Sequence, residues 1–300
     1  QHVRGEGPIG MYAAFVTALR ELGVASGATA AAGLVTAILA GLIIGSLGGA
    51  GFQISGPTGA MSAVLIVLAN RYGLEGVWFA GALAGIMILL LGVFNLGQIV
   101  NFIPSAVISG FTSGIAVVIF IGQIDNLLGV HTAAAENNLL KLIEYFRFDY
   151  TPNLAAVGLS IAVILIMIFT PKRVRAIVPG SLLALIAVTA ATMLLQLDVP
   201  TIGAIPQTIL LDARLIPASI PWEHLSELLM PALSIAALGA IESLLCGTAA
   251  GRMVGEKMAS GQELIAQGIG NVIIPFFGGV PATAAIARTR GDTSAVSGSI

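Results

Sequence analysis

Gly48-Gly49-Ala50-Gly51-Phe52-Gln53-Ile54-Ser55-Gly56-Pro57-Thr58-Gly59-Ala60 leads into an apolar run that stops after Ala69, at Asn70 and Arg71. Counted from Pro57 the run has about 13 residues, whereas a helix needs about 20 to cross a hydrocarbon core of roughly 30 Å. Near the other end, Gly278-Gly279-Val280-Pro281-Ala282-Thr283-Ala284 opens a second short run, which ends at Thr289. Each run is approached through glycines. Each begins with proline, whose missing N–H costs nothing in the first turn of a helix. The spacing therefore predicts two short helices, opening at Pro57 and Pro281. Pro57-Thr58-Gly59-Ala60 is loosely repeated as Pro281-Ala282-Thr283-Ala284. A pair of short, Gly/Pro-interrupted segments in corresponding places points to a transporter built from inverted repeats.

The surrounding chain fits a lipid environment. Of its 300 residues, 57% are hydrophobic and 9% charged, too few charges to cover a soluble surface. Six runs are long enough to be read as spans: residues 28–47, 77–94, 102–124, 154–170, 176–195 and 229–250. Helices are the default in lipid because a lone strand leaves its backbone unpaired. The expected fold class is therefore all-α, a polytopic membrane protein. Gly81 with Gly85 and Gly110 with Gly114 have the spacing that lets helices approach closely. Residues 1–8 carry Arg4 and Glu6 and do not read as a signal peptide.

Charge sets an orientation. Lys172, Arg173 and Arg175 occupy a short link without acids, which should be cytoplasmic. The acidic links 125–153 and 196–224 then fall on the far side, and the link 251–263, with Arg252 and Lys257, falls inside. A net charge of −2 gives no sign of nucleic-acid binding. One cysteine, Cys246, forms no internal disulfide. His2, His131 and His224 do not cluster with it, so no metal site and no cofactor is expected. Paired catalytic residues are lacking, and the chain reads as a non-enzyme.

The chemistry is expected where the short helices start. Helix N-termini carry partial positive charge and unpaired N–H groups, which suit anions. Ser55, Gly56, Thr58, Gly59, Ala282, Thr283 and Ala284 are small enough for a ligand to touch backbone. Gln53 is a candidate hydrogen-bond donor to that ligand. Arg288 either complements the anion or snorkels to the interface. Glu242 is the only acid deep within one of the six runs. A carboxylate at mid-membrane is costly, so it is a functional candidate as proton carrier or cation ligand. Cys246 lies one turn from it on the same face. Asn101, Gln123 and Gln267 read as bridges between helices.

Three stretches together resemble the SulP (sulfate permease) anion transporters. Residues 52–60 are similar to the third-helix motif of that family, and Ile103-Pro104-Ser105-Ala106-Val107-Ile108-Ser109-Gly110-Phe111 to its fifth helix. Gln262-Glu263-Leu264-Ile265-Ala266-Gln267-Gly268-Ile269-Gly270-Asn271, followed by Phe277-Gly278-Gly279-Val280-Pro281 and Ile286-Ala287-Arg288-Thr289, resembles the ninth and tenth helices. Within the family the resemblance is closest to a bacterial proton-coupled dicarboxylate (fumarate-type) symporter.

The resemblance implies two inverted repeats of seven segments, a core and a gate domain, and two half-helices meeting at mid-membrane. It implies an anion between helices three and ten, at Gln53, Ser55, Thr58 and Gly59 on one side and Ala282, Thr283, Ala284, Ala285 and Arg288 on the other. Glu242 falls on helix eight, as a proton-coupling residue. The transport domain covers residues 1–289, with the first helix unrecognisable. Residues 290–300 are unassigned, and the last four segments and the C-terminal STAS domain of the family are not seen. The expected function is secondary active, proton-coupled dicarboxylate symport by alternating access in the inner (cytoplasmic) membrane. The expected partners are a small anion, protons or sodium, the lipid bilayer and a homodimer mate. The alternatives are a sodium-dependent bicarbonate carrier, a sulfate carrier or an anion channel.

Overall fold

The computed structural model describes residues 26–51, 53–98, 120–130, 151–171, 180–197, 208–220 and 222–285, with isolated positions between these stretches. The described residues are helical apart from one pair of two-residue strands. The chain divides into two compact units.

The smaller unit comprises residues 1–18 and 117–202. Its described helices are α3 (Ile124–Leu128), α4 (Leu154–Phe169) and α5 (Gly180–Leu195). Asn153 caps α4, its side-chain oxygen accepting from the N–H groups of Ala155 and Ala156 at 3.0 and 3.1 Å. The α4 side chains Ile161, Ile164, Leu165, Ile168 and Phe169 are all exposed, as expected of a helix whose solvent is lipid.

The larger unit comprises residues 19–116 and 203–300. It holds α1 (Ala30–Leu47), β1 (Ser55–Gly56), α2 (Gly59–Val93), α6 (Leu225–Val254), α7 (Ser260–Ile273) and β2 (Thr283–Ala284). Among the described residues three helices are long and apolar enough to cross a membrane: Ala30–Leu47, Gly59–Val93 and Trp222–Arg252. Leu154–Phe169 and Leu183–Leu195 are apolar but shorter. Five of the six expected spans thus appear as helices, and the sixth, 102–124, lies largely outside the described residues.

The short helix expected at Pro57 is the first part of α2. Thr58, not Pro57, caps it: φ −126° and ψ 155° place Thr58 outside the helix, and its hydroxyl accepts from Met61 N–H. The helical hydrogen bonding continues past Asn70 and Arg71 to a kink at Gly73, where φ is +68° and ψ −176°. An L side chain rarely adopts that conformation, so glycine permits the kink. Residues 59–72 are one arm, and 74–93 contain all but the last residue of the span read from the sequence as 77–94.

The short helix expected to open at Pro281 does not begin there. Residues 281–285 are extended, and Thr283–Ala284 forms β2, antiparallel to β1 with Ser55 opposite Ala284 and Gly56 opposite Thr283. Ala285 N–H extends the pairing to Ile54 O at 2.9 Å. The physical reason is pairing: proline offers no donor at 281, and the N–H groups of Ala282, Ala284 and Ala285 bond Asn271, Ser243 and Ile54 instead of a helical carbonyl. Residues 286–289, with Arg288, lie outside the described residues.

α2 and α7 pack closely. A Cβ on Gly85 would sit 2.6 Å from Val272 N, and one on Gly268 would sit 2.5 Å from Leu89 N. Gly81 packs against the Pro281 ring, where a Cβ would come within 2.6 Å of its Cγ. The expected close-packing role of Gly81 and Gly85 therefore holds. Among the described residues, nothing lies within 4 Å of a Cβ built on Gly110 or Gly114.

A candidate anion site at the crossing of two extended segments

The β1–β2 crossing lies against the middle of α6. Glu242 is buried there, and its Oε2 accepts from both Thr58 Oγ1 at 3.1 Å and Thr283 Oγ1 at 2.8 Å. One carboxylate oxygen therefore ties the start of α2 to β2. The next residue, Ser243, accepts from Ala284 N–H through its hydroxyl at 3.3 Å. A Cβ on Gly239, one turn earlier, would lie 3.9 Å from Thr283 Cγ2. Helical periodicity thus turns Gly239, Glu242 and Ser243 to the same neighbour. Cys246 is buried one turn further on.

The opposite support comes from α7. Glu263, Gln267 and Asn271 recur every four residues and so share one face of the helix. All three are buried, at 1%, 1% and 2% exposure. Glu263 Oε2 accepts from Gly49 N–H at 3.0 Å, and its Oε1 accepts from the Gln53 amide at 2.5 Å. Gln267 Nε2 donates to Glu263 Oε1 and to Ser55 Oγ, each at 3.0 Å. Asn271 grips the other segment: its Nδ2 donates to Ala282 O at 2.8 Å and its Oδ1 accepts from Ala282 N–H at 2.7 Å. That side chain pairs with Ala282 as a neighbouring strand would. On α1, the Thr36 hydroxyl accepts from Val280 N–H at 2.7 Å, with its own proton within reach of Ala32 O at 2.7 Å and Val280 O at 3.1 Å.

The structure brings Ser55, Thr58, Gly59, Glu242, Ala282, Thr283, Ala284 and Ala285 together, and Ser55, Thr58, Thr283 and Ala282–Ala285 are buried. Gln53 is turned to Glu263. Glu242 remains the one acid deep within the six expected spans, but Glu263, at the end of the expected 251–263 link and within the ninth-helix motif, lies within α7 and is more buried than Glu242. The hydroxyls of Thr58 and Thr283 are committed to Glu242, so the donors left for an anion beside them are the first-turn amides of α2 and the Ser55 hydroxyl. Gln267 is a bridge as expected, but to β1. Gln123 Oε1 accepts locally from Asn126, and Asn101 lies outside the described residues.

Sequence comparison places this arrangement among known proteins. The sulfate permease family matches residues 10–296. YvdB of Bacillus subtilis, a protein named for sulfate transport, is 40% identical over 290 residues, 92% of this chain and 53% of that protein. The bicarbonate transporter BicA of Synechocystis is 31% identical over 289 residues, 91% of this chain and 50% of its own length. The chain thus spans about half the length of these curated relatives. The solved transmembrane domain of a cyanobacterial BicA is 29% identical and aligns with a TM-score of 0.79 over 96% of this chain and 78% of that one. A murine solute carrier 26 anion transporter shares the fold alone, with 15% identity and a TM-score of 0.78 over 97% of this chain and 54% of that one. These relatives are named for sulfate, bicarbonate and anions, and the expected relationship to a dicarboxylate symporter finds no support among them. Matched from residue 10 to residue 296, the chain belongs to the sulfate permease family.

Proposed function

We propose that the chain carries the substrate site of a secondary active anion transporter, working by alternating access in the inner (cytoplasmic) membrane. We take its substrate to be a small oxyanion of the sulfate or bicarbonate kind. The observation that carries this reading is the crossing of two small-residue extended segments at the start of α2, over a buried carboxylate. Gly59 and Ala60 offer first-turn amides that have no helical partner, and the small side chains around them leave room for a ligand at the backbone. Ser55 adds a hydroxyl. Arg288 is assigned to the same site on the sequence pattern. Gln53, turned to Glu263, is assigned to positioning rather than to substrate contact.

Glu242 supplies the coupling. An anion bound beside its carboxylate meets a like charge. At about 5 Å and an effective dielectric near 20, two unit charges repel by about 3 kcal/mol. That weakens binding by about two orders of magnitude. A proton or a cation on Glu242 removes the repulsion, so anion and coupling ion bind together. The names of the relatives favour sulfate or bicarbonate over a dicarboxylate.

Uptake into proteoliposomes of labelled sulfate, bicarbonate and fumarate, each across a concentration series, tests the reading. A carrier saturates, and one of the two inorganic anions is taken up in preference to fumarate. Preference for fumarate would restore the dicarboxylate expectation. Flux that rises linearly with concentration would make the protein a channel.

A further inference from the structure

The polar cluster behind β1 is electrically incomplete. Glu263 is 1% exposed, and among the described residues no cationic side chain pairs with it. Buried charges are normally paired or bound to a metal. N–H donors surround the carboxylate, from the backbone of Gly49 and Ala50 and from the side chains of Gln53 and Gln267. They suit its anionic form, but they bring no net positive charge. The two glutamines that turn their nitrogens to Glu263 also leave their oxygens stranded. Gln53 Oε1 and Gln267 Oε1 are both buried without a hydrogen-bond partner. Native interiors rarely leave such acceptors empty. The group therefore holds one uncompensated negative charge and two unused hard oxygens.

A path leads to it. A small cavity of about 40 Å³ is lined by Gly49, Gly51, Gly247, Gly251, Glu256 and Met258, with the exposed Lys257 also on its wall. Gly49 is the residue whose N–H binds Glu263. A Cβ on Gly247 would come within 2.7 Å of Gln53 Oε1, so that stranded oxygen lies directly behind Gly247, a residue of the cavity wall.

We propose that Glu263, Gln53 and Gln267 form a binding site for a monovalent alkali cation, reached from the cavity between Gly49 and Gly247. The single carboxylate sets a charge of one. The amide and carboxylate oxygens are hard donors, suited to alkali ions rather than to soft metals. The site is separate from Glu242, which lies on α6 with Thr58 and Thr283 as partners. Gln267 also donates to Ser55, so cation occupancy would reach β1 through that bond. The coupling consequence rests on the proposed carrier function, whereas cation binding itself is read without any transport.

The test is the thermal midpoint of the purified protein in detergent, in sodium, potassium or choline chloride at one ionic strength and pH. Bound ligand stabilises the folded state by mass action. The midpoint should rise, saturably, with sodium or potassium over choline. Glu263→Gln should abolish the rise. Gln53 is only half-buried, so Gln53→Met serves if Glu263→Gln does not fold. It should raise the half-maximal cation concentration about tenfold or more. Equal midpoints in all three salts for the wild type would overturn the site. So would a rise that survives Glu263→Gln or is unshifted in Gln53→Met, or a midpoint that answers to pH alone. Uptake is measured separately, so a protein that transports nothing can still show the shift.

Discussion

Gly59 and Thr58 sit side by side at the start of α2 and do different work. Thr58 caps the helix and donates to Glu242. Serine keeps both functions, so Thr58→Ser should leave substrate affinity within about threefold, a change of less than 1 kcal/mol. Gly59 presents backbone where the anion is proposed to bind, and a branched side chain there fills the space. Gly59→Val should abolish measurable binding in a competition assay, and unchanged affinity would remove the start of α2 from the site. Arg288→Ala tests the other side. Two charges gain about twice the Coulomb energy of one at the same distance, so divalent sulfate should lose more uptake than monovalent bicarbonate. An unchanged ratio would return Arg288 to the membrane interface. At this scale the sequence exposed Thr58, Glu242 and Thr283 through their small, polar or charged character in apolar surroundings. Glu263 stood within the ninth-helix motif, but its burial was obscured because Gly261-Gln262-Glu263 also reads as the end of a polar link. The usable signal was the four-residue spacing of Glu263, Gln267 and Asn271, which marks one polar face on a helix.

α7 holds both extended segments at once. Its first turn reaches Gly49 and Gln53, its middle reaches Ser55, and its end reaches Ala282. Asn271→Leu keeps much of the volume but leaves the N–H and the carbonyl of Ala282 buried without these partners. The expected cost is about 2–4 kcal/mol, read as a lower unfolding midpoint together with weaker substrate binding. A full-strength midpoint would mean that Ala282 finds other partners. The approach of α7 to α2 is equally specific. Gly268→Val places a Cβ on the Leu89 backbone, and overpacking of this kind costs about 1–3 kcal/mol or more. Wild-type stability in Gly268→Val would show that the two helices can separate without loss. The long apolar runs announced the helices here. The extended course of residues 281–285 was not legible, because Pro-Ala-Thr-Ala-Ala carries no strand pattern. Its conformation is imposed by Asn271 and β1, partners distant in the fold rather than in the local sequence.

In the larger unit the described polar groups follow a simple division. α6 brings one carboxylate to the front of the β1–β2 crossing, and α7 brings another to the back. Both acids are buried, where the charged form is costly and a proton or cation is welcome. The membrane setting was legible from composition, since so few charges leave lipid as the only solvent for these helices. The substrate was not legible, because backbone amides and small side chains accept many anions. The central claim is that Glu242 must be neutralised for an anion to bind beside it. Initial sulfate uptake into proteoliposomes, measured across external pH and sodium concentration for wild type and Glu242→Gln, tests it directly. The account predicts that wild-type uptake rises with acidification or with sodium, and that Glu242→Gln loses that response because its neutral amide no longer repels the anion. Retention of the full wild-type response in Glu242→Gln would contradict it.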